Sequence, residues 1–282
     1  MSNYKINTSK KYYDLYKKSV DEPEIFWDEI ASDNFTWYNK WSKVVDWDFN
    51  KAKISWFKDA KLNITINCLD RHAENNPDKT AIIFEPNDPK EDNRLYSYSE
   101  LLKEVCKMAN VLKSMGVKKG DRVCIYLPMI PELAFSVLAC ARIGAIHSVV
   151  FAGFSSNALA TRIDDCKSSL IITSDGSFRG DKKLNLKTIV DDALKICETD
   201  QKVLLVKRTN ESVNMVEKRD FLLENLIIKA NDTCDAEIMD AEDPLFILYT
   251  SGSTGKPKGM VHTCGGYMVY TSFTFKNILM CH

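Results

Sequence analysis

Residues 245–259 read Leu-Phe-Ile-Leu-Tyr-Thr-Ser-Gly-Ser-Thr-Gly-Lys-Pro-Lys-Gly, so an apolar strand runs directly into a loop rich in glycine, hydroxyl groups and lysine. Glycines let a backbone bend and approach an anion closely, while hydroxyl groups and lysines supply donors and positive charge. The spacing is not that of the P-loop, because Pro257 follows Lys256 and the first glycine lies too close to Gly-Lys. A flexible surface loop of the same composition is the alternative, which the adjoining strand disfavours. The stretch therefore predicts a site for nucleotide phosphates.

Composition narrows the possible ligands. The chain has 282 residues, of which 45% are hydrophobic and 27% charged, and its formal net charge is −1. A chain of this length can bury a sizeable core. Its charge balance offers no electrostatic basis for binding nucleic acid or an anionic membrane, and no window is apolar enough to predict a membrane span. We expect a small-molecule ligand.

Cysteine usage and the N-terminus predict a cytoplasmic protein. Nine cysteines are scattered along the chain, without a Cys-x-x-Cys pair or a neighbouring histidine at metal-ligand spacing. This pattern favours reduced, buried thiols and predicts no protein metal site. Residues 1–20 are rich in lysine and tyrosine and lack the apolar core of a secretory signal.

From about residue 80 onward, helical and strand patterns alternate. Ser97-Tyr98-Ser99-Glu100 has capping-box spacing, apolar residues then recur at helical period, and Gly116 follows where a helix-ending glycine belongs. Strands buried on both faces read as continuous apolar runs, so we predict an α/β fold with largely parallel sheets flanked by helices. Ligands of such sheets bind at the carboxyl ends of the strands. The predicted strands cover residues 122–127, 145–151, 169–173, 202–207 and 245–249, and the predicted helices between them cover residues 131–143, 157–166 and 189–197.

The first 60 or so residues differ from the rest of the chain in their tryptophan content. All five tryptophans lie there, at positions 27, 37, 41, 47 and 56, irregularly spaced among charged residues. Large aromatic side chains contribute much buried area, so this segment is predicted to anchor itself by aromatic packing rather than to fold alone or to form a ligand cage.

Four separated motifs resemble those of the adenylate-forming (acyl-activating) enzymes, and of their acetyl-CoA synthetase branch in particular. The motifs occur in the family's order and cover roughly residues 20–280. They are Lys61-Leu62-Asn63 with Asn67-Cys68-Leu69-Asp70-Arg71-His72; residues 143–151 with Gly153-Phe154-Ser155; Ser174 to Lys183 before the Asp-Asp-Ala-Leu run at 191–194; and Tyr249 to Gly259 with Val261-His262-Thr263 and Cys264-Gly265-Gly266-Tyr267.

The resemblance implies a domain organisation and a reaction. Residues 1–65 correspond to the N-terminal extension of that branch, and residues 66–282 to the first part of the AMP-binding (adenylation) domain, without the C-terminal lid domain. In the family, ATP and acetate give acetyl-adenylate and pyrophosphate, Mg²⁺ assists, and CoA then displaces AMP to give acetyl-CoA. Because the lid and the adenine-binding segments are not in this sequence, we expect residues 1–282 alone to be an inactive fragment.

The resemblance also implies roles for individual residues. Lys256 and Lys258 would neutralise charge as pyrophosphate forms, and are the predicted catalytic residues. Gly153, Arg179 and Lys182 would bind CoA; the family more often has arginine where Lys182 stands, which would permit bidentate contacts. The residues implied to hold the ATP phosphates are Thr250, Ser251, Gly252, Ser253, Thr254, Gly255 and Lys256.

Several alternatives stay open. A synthetase for propionate or another short acid is the runner-up to acetate, because the residues that line the family's acyl pocket lie beyond residue 282. A truncated, non-catalytic nucleotide-binding protein is an alternative of another class. His147 and His262 lie in apolar runs and no Gly-x-Ser-x-Gly motif occurs, so packed histidines, each satisfied by one hydrogen bond, are preferred to a general base. Oligomeric state is not predicted.

Overall fold

A computed structural model describes residues 6–180, 182–251 and 255–277. Its contacts divide the chain into two compact units. The first, here called the aromatic unit, comprises Met1–Asn67, Ile238–Pro244 and His262–His282, and the second, the sheet unit, comprises Cys68–Glu237 and Leu245–Val261.

Helices and strands alternate through most of the chain. The α-helices are α1 (Ser9–Asp21), α2 (Pro23–Asn34), α3 (Arg71–Asn75), α4 (Tyr98–Ser114), α5 (Pro131–Arg142), α6 (Ser156–Cys166), α7 (Leu186–Leu194), α8 (Leu223–Ile227) and α9 (Cys264–Asn277). The strands are β1 (Lys43–Asp48), β2 (Lys53–Lys58), β3 (Lys61–Leu62), β4 (Thr80–Phe84), β5 (Arg94–Ser97), β6 (Arg122–Tyr126), β7 (Ile146–Val149), β8 (Leu170–Ser174), β9 (Ser177–Arg179), β10 (Lys182–Leu184), β11 (Lys202–Val206), β12 (Asp220–Leu222), β13 (Met239–Asp240), β14 (Pro244–Thr250) and β15 (Lys258–Thr263).

A seven-stranded sheet in the order β12-β11-β8-β6-β7-β14-β15 organises the sheet unit. The pairs from β12 through β14 are all parallel. Helices cover both faces: α4 and α5 pack on the face that carries Val123 and Ile125, and α6 and α7 pack on the face that carries Cys124 and Tyr126. The predicted α/β fold with a largely parallel, helix-flanked sheet is therefore confirmed.

Local signals account for the helix boundaries. The Ser97 side chain accepts from the amide of Glu100, and the Glu100 side chain accepts from the amide of Ser97, so the predicted capping box is present at the start of α4. Gly116 follows this helix with φ +98°, a conformation that favours glycine. Helix α7 begins at Leu186, three residues before its predicted start, because the Asn185 side chain caps the amide of Thr188.

The aromatic unit is built around the tryptophans. Trp27 meets Trp56 edge to face at 6.2 Å between ring centroids, and Trp37 meets Trp41 in the same way at 5.0 Å. These four tryptophans pack as predicted. Trp47 is not buried: it is 60% exposed, and its ring meets that of the exposed Phe49 at 5.2 Å. Later segments of the chain complete the unit, including Phe273 of α9, which contacts Trp27 at 5.7 Å.

Candidate functional site

The order of the central strands creates a crevice at one edge of the sheet. Strand β6 lies between β7 and β8. Helix α5 leads from β6 to β7 on one face, whereas α6 leads from β7 to β8 on the other. Such a reversal opens a crevice outside the carboxyl ends of the strands, where ligands of α/β sheets bind.

A cavity of about 610 Å³ occupies this position in the sheet unit. Its walls come from the segments that follow β6 and β7, from the β9–β10 hairpin beyond β8, and from Leu248 of β14. Leu248 lies two residues before Thr250, the last residue of β14. The strand that feeds the glycine-rich loop therefore also forms part of the cavity wall.

Gly153 lines the cavity in the loop after β7. A β-carbon there would lie 3.0 Å from a ring carbon of Phe151, which also lines the cavity. The hydroxyl of the buried Tyr126 donates a 2.8 Å hydrogen bond to the carbonyl of Phe154 and so fixes the same loop. A side chain at residue 153 would therefore crowd the Phe151 ring in this part of the wall.

Arg179 and Lys182 face each other across the β9–β10 hairpin as register partners. Arg179 lines the cavity, and both side chains are exposed. Within the described ranges, neither cation forms an ion pair. The hairpin therefore presents two adjacent positive charges, one of them at the cavity wall.

The glycine-rich loop begins where β14 ends. Thr250 and Ser251 are exposed at this edge, Gly255 has φ +81°, in the left-handed region that favours glycine, and Lys256 is exposed. Gly252, Ser253 and Thr254 lie outside the described residues. Lys258 was expected to belong to the loop, but it is the first residue of β15, since the chain resumes pairing there at the sheet edge.

A buried arginine on α6 contacts both the loop after β7 and the end of β14. The Arg162 guanidinium lies 4.8 Å from the ring centroid of Phe154 and 5.5 Å from that of Tyr249. Phe154 belongs to the loop after β7, and Tyr249 immediately precedes Thr250. Sequence reasoning missed Arg162, although its position three residues after the buried Leu159 on an amphipathic helix is a signal that could have drawn attention to it.

The two histidines in apolar runs differ in environment. His147 is 7% exposed, and its ring stacks on Phe246 at 5.4 Å. Burial lowers the pKa of His147 to about 4, so this side chain is neutral at pH 7. The Nδ1 atom has no hydrogen-bond partner in the part of the chain that the structure describes, and the single hydrogen bond expected for this ring stays a prediction. His262 is half-buried, and its ring packs edge to face on Tyr267 at 5.6 Å.

The described ranges contain no group of three or more His, Cys, Asp or Glu side chains that could hold a metal ion. None of their helices combines the length and the apolar character that crossing a membrane requires.

Two protein families together match nearly the whole sequence. The family described as acetyl-coenzyme A synthetase N-terminus matches residues 12–68, and the family described as AMP-binding enzyme matches residues 69–281. The boundary predicted between residues 65 and 66 stays a prediction.

Full-length relatives are similar over the same span. An acetyl-coenzyme A synthetase of Magnetococcus marinus is 49% identical over 273 residues, covering 97% of this chain and 42% of the relative. One of Novosphingobium aromaticivorans is 50% identical over 270 residues, covering 95% of this chain and 41% of the relative. One of Rhodobacter capsulatus is 51% identical over 266 residues, covering 94% of this chain and 40% of the relative. The chain thus spans well under half the length of these relatives.

The fold is shared with a solved structure. Acetoacetyl-CoA synthetase from Streptomyces lividans superposes with a TM-score of 0.85 at 24% identity, covering 97% of this chain and 41% of that one. At this identity the similarity concerns the fold alone.

Proposed function

The chain belongs to the AMP-binding enzyme family, and we propose that it carries the ATP-phosphate and CoA sites of an AMP-forming acetate–CoA ligase. The observation that carries the proposal is the arrangement at the carboxyl edge of the sheet. The loop after β14 follows a strand whose Leu248 lines the same cavity as Gly153 and Arg179. Donors for two phosphate-bearing substrates therefore lie around one crevice.

In the first half-reaction, a carboxylate oxygen of acetate attacks the α-phosphorus of ATP. The bond from the α-phosphorus to the bridging oxygen breaks, and pyrophosphate leaves with the electron pair. A carboxylate is already nucleophilic at neutral pH, so the protein's task is to align the reactants and to neutralise the phosphates. Lys256 and Lys258 supply positive charge for this purpose, and the loop from Thr250 to Gly255 supplies donors. Mg²⁺ bound with ATP would add charge neutralisation at the triphosphate.

In the second half-reaction, the CoA thiolate attacks the acyl carbon of acetyl-adenylate, and AMP leaves. Arg179 would pair with the phosphates of CoA through its planar guanidinium, with Lys182 adding a second charge. Gly153 would let the backbone approach CoA closely. The names of the relatives favour acetate over propionate as the acid.

We also propose that the protein works in the cytoplasm. Cys124 and Cys140 are fully buried, and burial raises the pKa of the Cys140 thiol to about 12. The eight cysteines that the structure describes are all free thiols, in keeping with a reducing compartment.

The test uses the natural protein that contains residues 1–282. We expect it to catalyse ATP–pyrophosphate exchange that depends on acetate, to do so more slowly with propionate, and to form acetyl-CoA and AMP when CoA is added. Faster exchange with propionate would contradict acetate as the substrate. Nucleotide binding without exchange for any short acid would instead favour a non-catalytic nucleotide-binding protein.

A further inference from the structure

We propose that Arg208 is a positioning residue for Arg179: with Glu91 and Phe178 it holds the β9–β10 hairpin so that the Arg179 guanidinium is already placed to meet a phosphate of CoA. This inference rests on the CoA-binding role proposed above for Arg179. It concerns residues far apart in the sequence, and neither Arg208 nor Glu91 belongs to the motifs that identified the family.

Arg208 makes a two-point ion pair with Glu91. Its Nη1 and Nη2 atoms donate to the two carboxylate oxygens of Glu91 at 2.8 and 2.9 Å. Arg208 lies two residues after β11, and Glu91 lies in the loop between β4 and β5. The arginine side chain is only 12% exposed, so solvent screens this pair less than an ordinary surface pair. The parallel, charge-assisted bonds fix the plane of the guanidinium as well as its position.

That plane lies over the hairpin residue next to Arg179. The Arg208 guanidinium carbon is 5.0 Å from the ring centroid of Phe178 and 5.7 Å from that of Phe84. A guanidinium attracts an aromatic face at such distances. The contact with the Arg208 guanidinium therefore restrains the Phe178 ring, and with it the backbone that continues into Arg179.

The same ion pair argues against Arg208 as the phosphate ligand itself. Arg208 lines the cavity, but both of its terminal nitrogens donate to a carboxylate, and its charge is balanced. The Arg179 side chain is exposed, and among the described residues it has no carboxylate or other hydrogen-bond partner. The two arginines therefore differ: Arg208 is fixed by its ion pair, whereas the side chain of Arg179 is available to a ligand.

Further bonds fasten the hairpin at its base and its turn. The buried Asp175 carboxylate accepts from the amides of Arg208 and Thr209 at 2.7 and 3.0 Å, which ties the residues before β9 to the segment that carries Arg208. A β-carbon at Gly176 would lie 2.7 Å from the Thr209 hydroxyl, so close approach requires glycine there. At the turn, the Asn87 side chain donates to the carbonyl of Gly180 at 3.1 Å.

The hairpin needs such fastening because it is short. Strands β9 and β10 have three residues each, and a two-stranded hairpin of this size is not stable by itself in water. A mobile hairpin would have to be ordered whenever CoA binds, and that ordering would weaken binding. Fixing Phe178 in advance removes this cost for Arg179.

The test combines Arg208→Met with Arg179→Ala in the natural protein that contains residues 1–282. We expect Arg208→Met to raise the KM for CoA by about 5- to 10-fold, the scale of ordering one or two side chains, with kcat changed less than about twofold. Acetate-dependent ATP–pyrophosphate exchange, which precedes CoA binding, is the readout that a general loss of structure would lower. Lys207→Met, the neighbouring cation whose Nζ pairs with Glu224, is the matched control and should leave the KM for CoA unchanged.

The decisive result is the double variant. If Arg208 acts through Arg179, adding Arg208→Met to Arg179→Ala should raise the KM for CoA less than about twofold further. Multiplicative effects would show that Arg208 contacts CoA independently and would overturn the proposal, as would an equal loss of exchange in Arg208→Met. Glu91→Gln, a milder change that keeps the arginine, should reproduce part of the effect even if Arg208→Met folds poorly. An unchanged KM in Arg179→Ala would refute the CoA role itself, whereas an effect of Arg179→Ala without one of Arg208→Met would refute only the positioning.

Discussion

The hydroxyl of Tyr249 donates a hydrogen bond of 2.6 Å to a carboxylate oxygen of Asp165. Tyr249 is the penultimate residue of β14, and Asp165 lies on α6 one turn after Arg162, whose guanidinium covers the Tyr249 ring. Burial, reinforced by the bond to Asp165, raises the pKa of Tyr249, so its hydroxyl remains a donor throughout the physiological pH range. Helix α6 therefore anchors the strand that ends at the phosphate loop.

Removing this hydroxyl should destabilise the protein modestly. Tyr249→Phe is expected to cost about 1 kcal/mol, because one hydrogen bond is lost while the exposed Asp165 can be hydrated instead. In a protein of this size that corresponds to a fall in Tm of about 2–4 °C, measurable by differential scanning calorimetry. Asp165→Asn should have a smaller effect, since an amide oxygen still accepts. An unchanged Tm in Tyr249→Phe would mean that the bond does not contribute in solution.

The phosphate loop provides a second prediction. Replacing Lys256 and Lys258 together by alanine removes two positive charges from the site proposed for pyrophosphate. Acetate-dependent ATP–pyrophosphate exchange should fall by about 10²-fold or more, the scale of losing preorganised electrostatic groups. Lys195→Ala, a surface lysine of the α7 C-cap that pairs with Asp192, is a control that should exchange normally. Normal exchange in the double variant would refute the assigned role.

Replacing Arg179 on the β9–β10 hairpin should affect the second half-reaction and not the first. Arg179→Ala is expected to raise the KM for CoA while CoA-independent exchange stays nearly intact, because an interaction confined to the second substrate cannot affect an earlier step. Lys183→Ala is the matched control, since Lys183 belongs to the same hairpin but pairs with Glu211. Equal damage to both half-reactions would indicate a structural role for Arg179.

The buried His147 should make the free energy of unfolding depend on pH. Its folded-state pKa of about 4 lies below the ordinary value of 6.5, so the folded protein binds fewer protons than the unfolded chain between these values. The associated stability is fully present above pH 6.5 and is lost as the pH falls towards 4. Between pH 7 and pH 5 the loss should be at most ~2 kcal/mol.

Urea unfolding at pH 7 and pH 5 measures this effect. The difference between the two pH values should be smaller in His147→Gln, whose side chain does not titrate. A direct check is the NMR titration of the histidine ring protons, in which the resonance that His147→Gln removes should titrate near pH 4. Titration of that resonance near pH 6.5 would show that the ring is hydrated in solution.

Sequence reasoning succeeded where local signals dominate. The Ser97 capping box, the glycine at position 116 and the continuous apolar runs depend on contacts within a few residues, and the corresponding elements are present. Strand β7 ends at Val149, two residues earlier than predicted, because Val150 and Phe151 already leave the sheet edge and line the cavity. Apolar content alone does not distinguish a strand end from a cavity wall.

The features that sequence reasoning did not predict depend on contacts between residues that are distant in the sequence. Glu91 and Arg208 are 117 positions apart, and Asp165 and Tyr249 are 84 apart, so no periodicity or motif connects the members of either pair. Lys258 was assigned to the loop because it continues the motif, whereas the return to pairing in β15 depends on the neighbouring strand. The positions of Gly153, Arg179 and Lys182 were inferred from the resemblance, and their roles stay proposals.

The aromatic unit is discontinuous in sequence, and this has a consequence for synthesis on the ribosome. Residues up to Asn67 emerge first, but the unit is completed by Ile238–Pro244 and by α9. Roughly 200 residues must be translated between Asn67 and Phe273, which at about 5–20 residues per second takes about 10–40 s. During that interval Phe26 and Trp27 have no Phe273 to cover them. The nascent chain therefore exposes an aromatic surface until the later segments are synthesised and the unit can close.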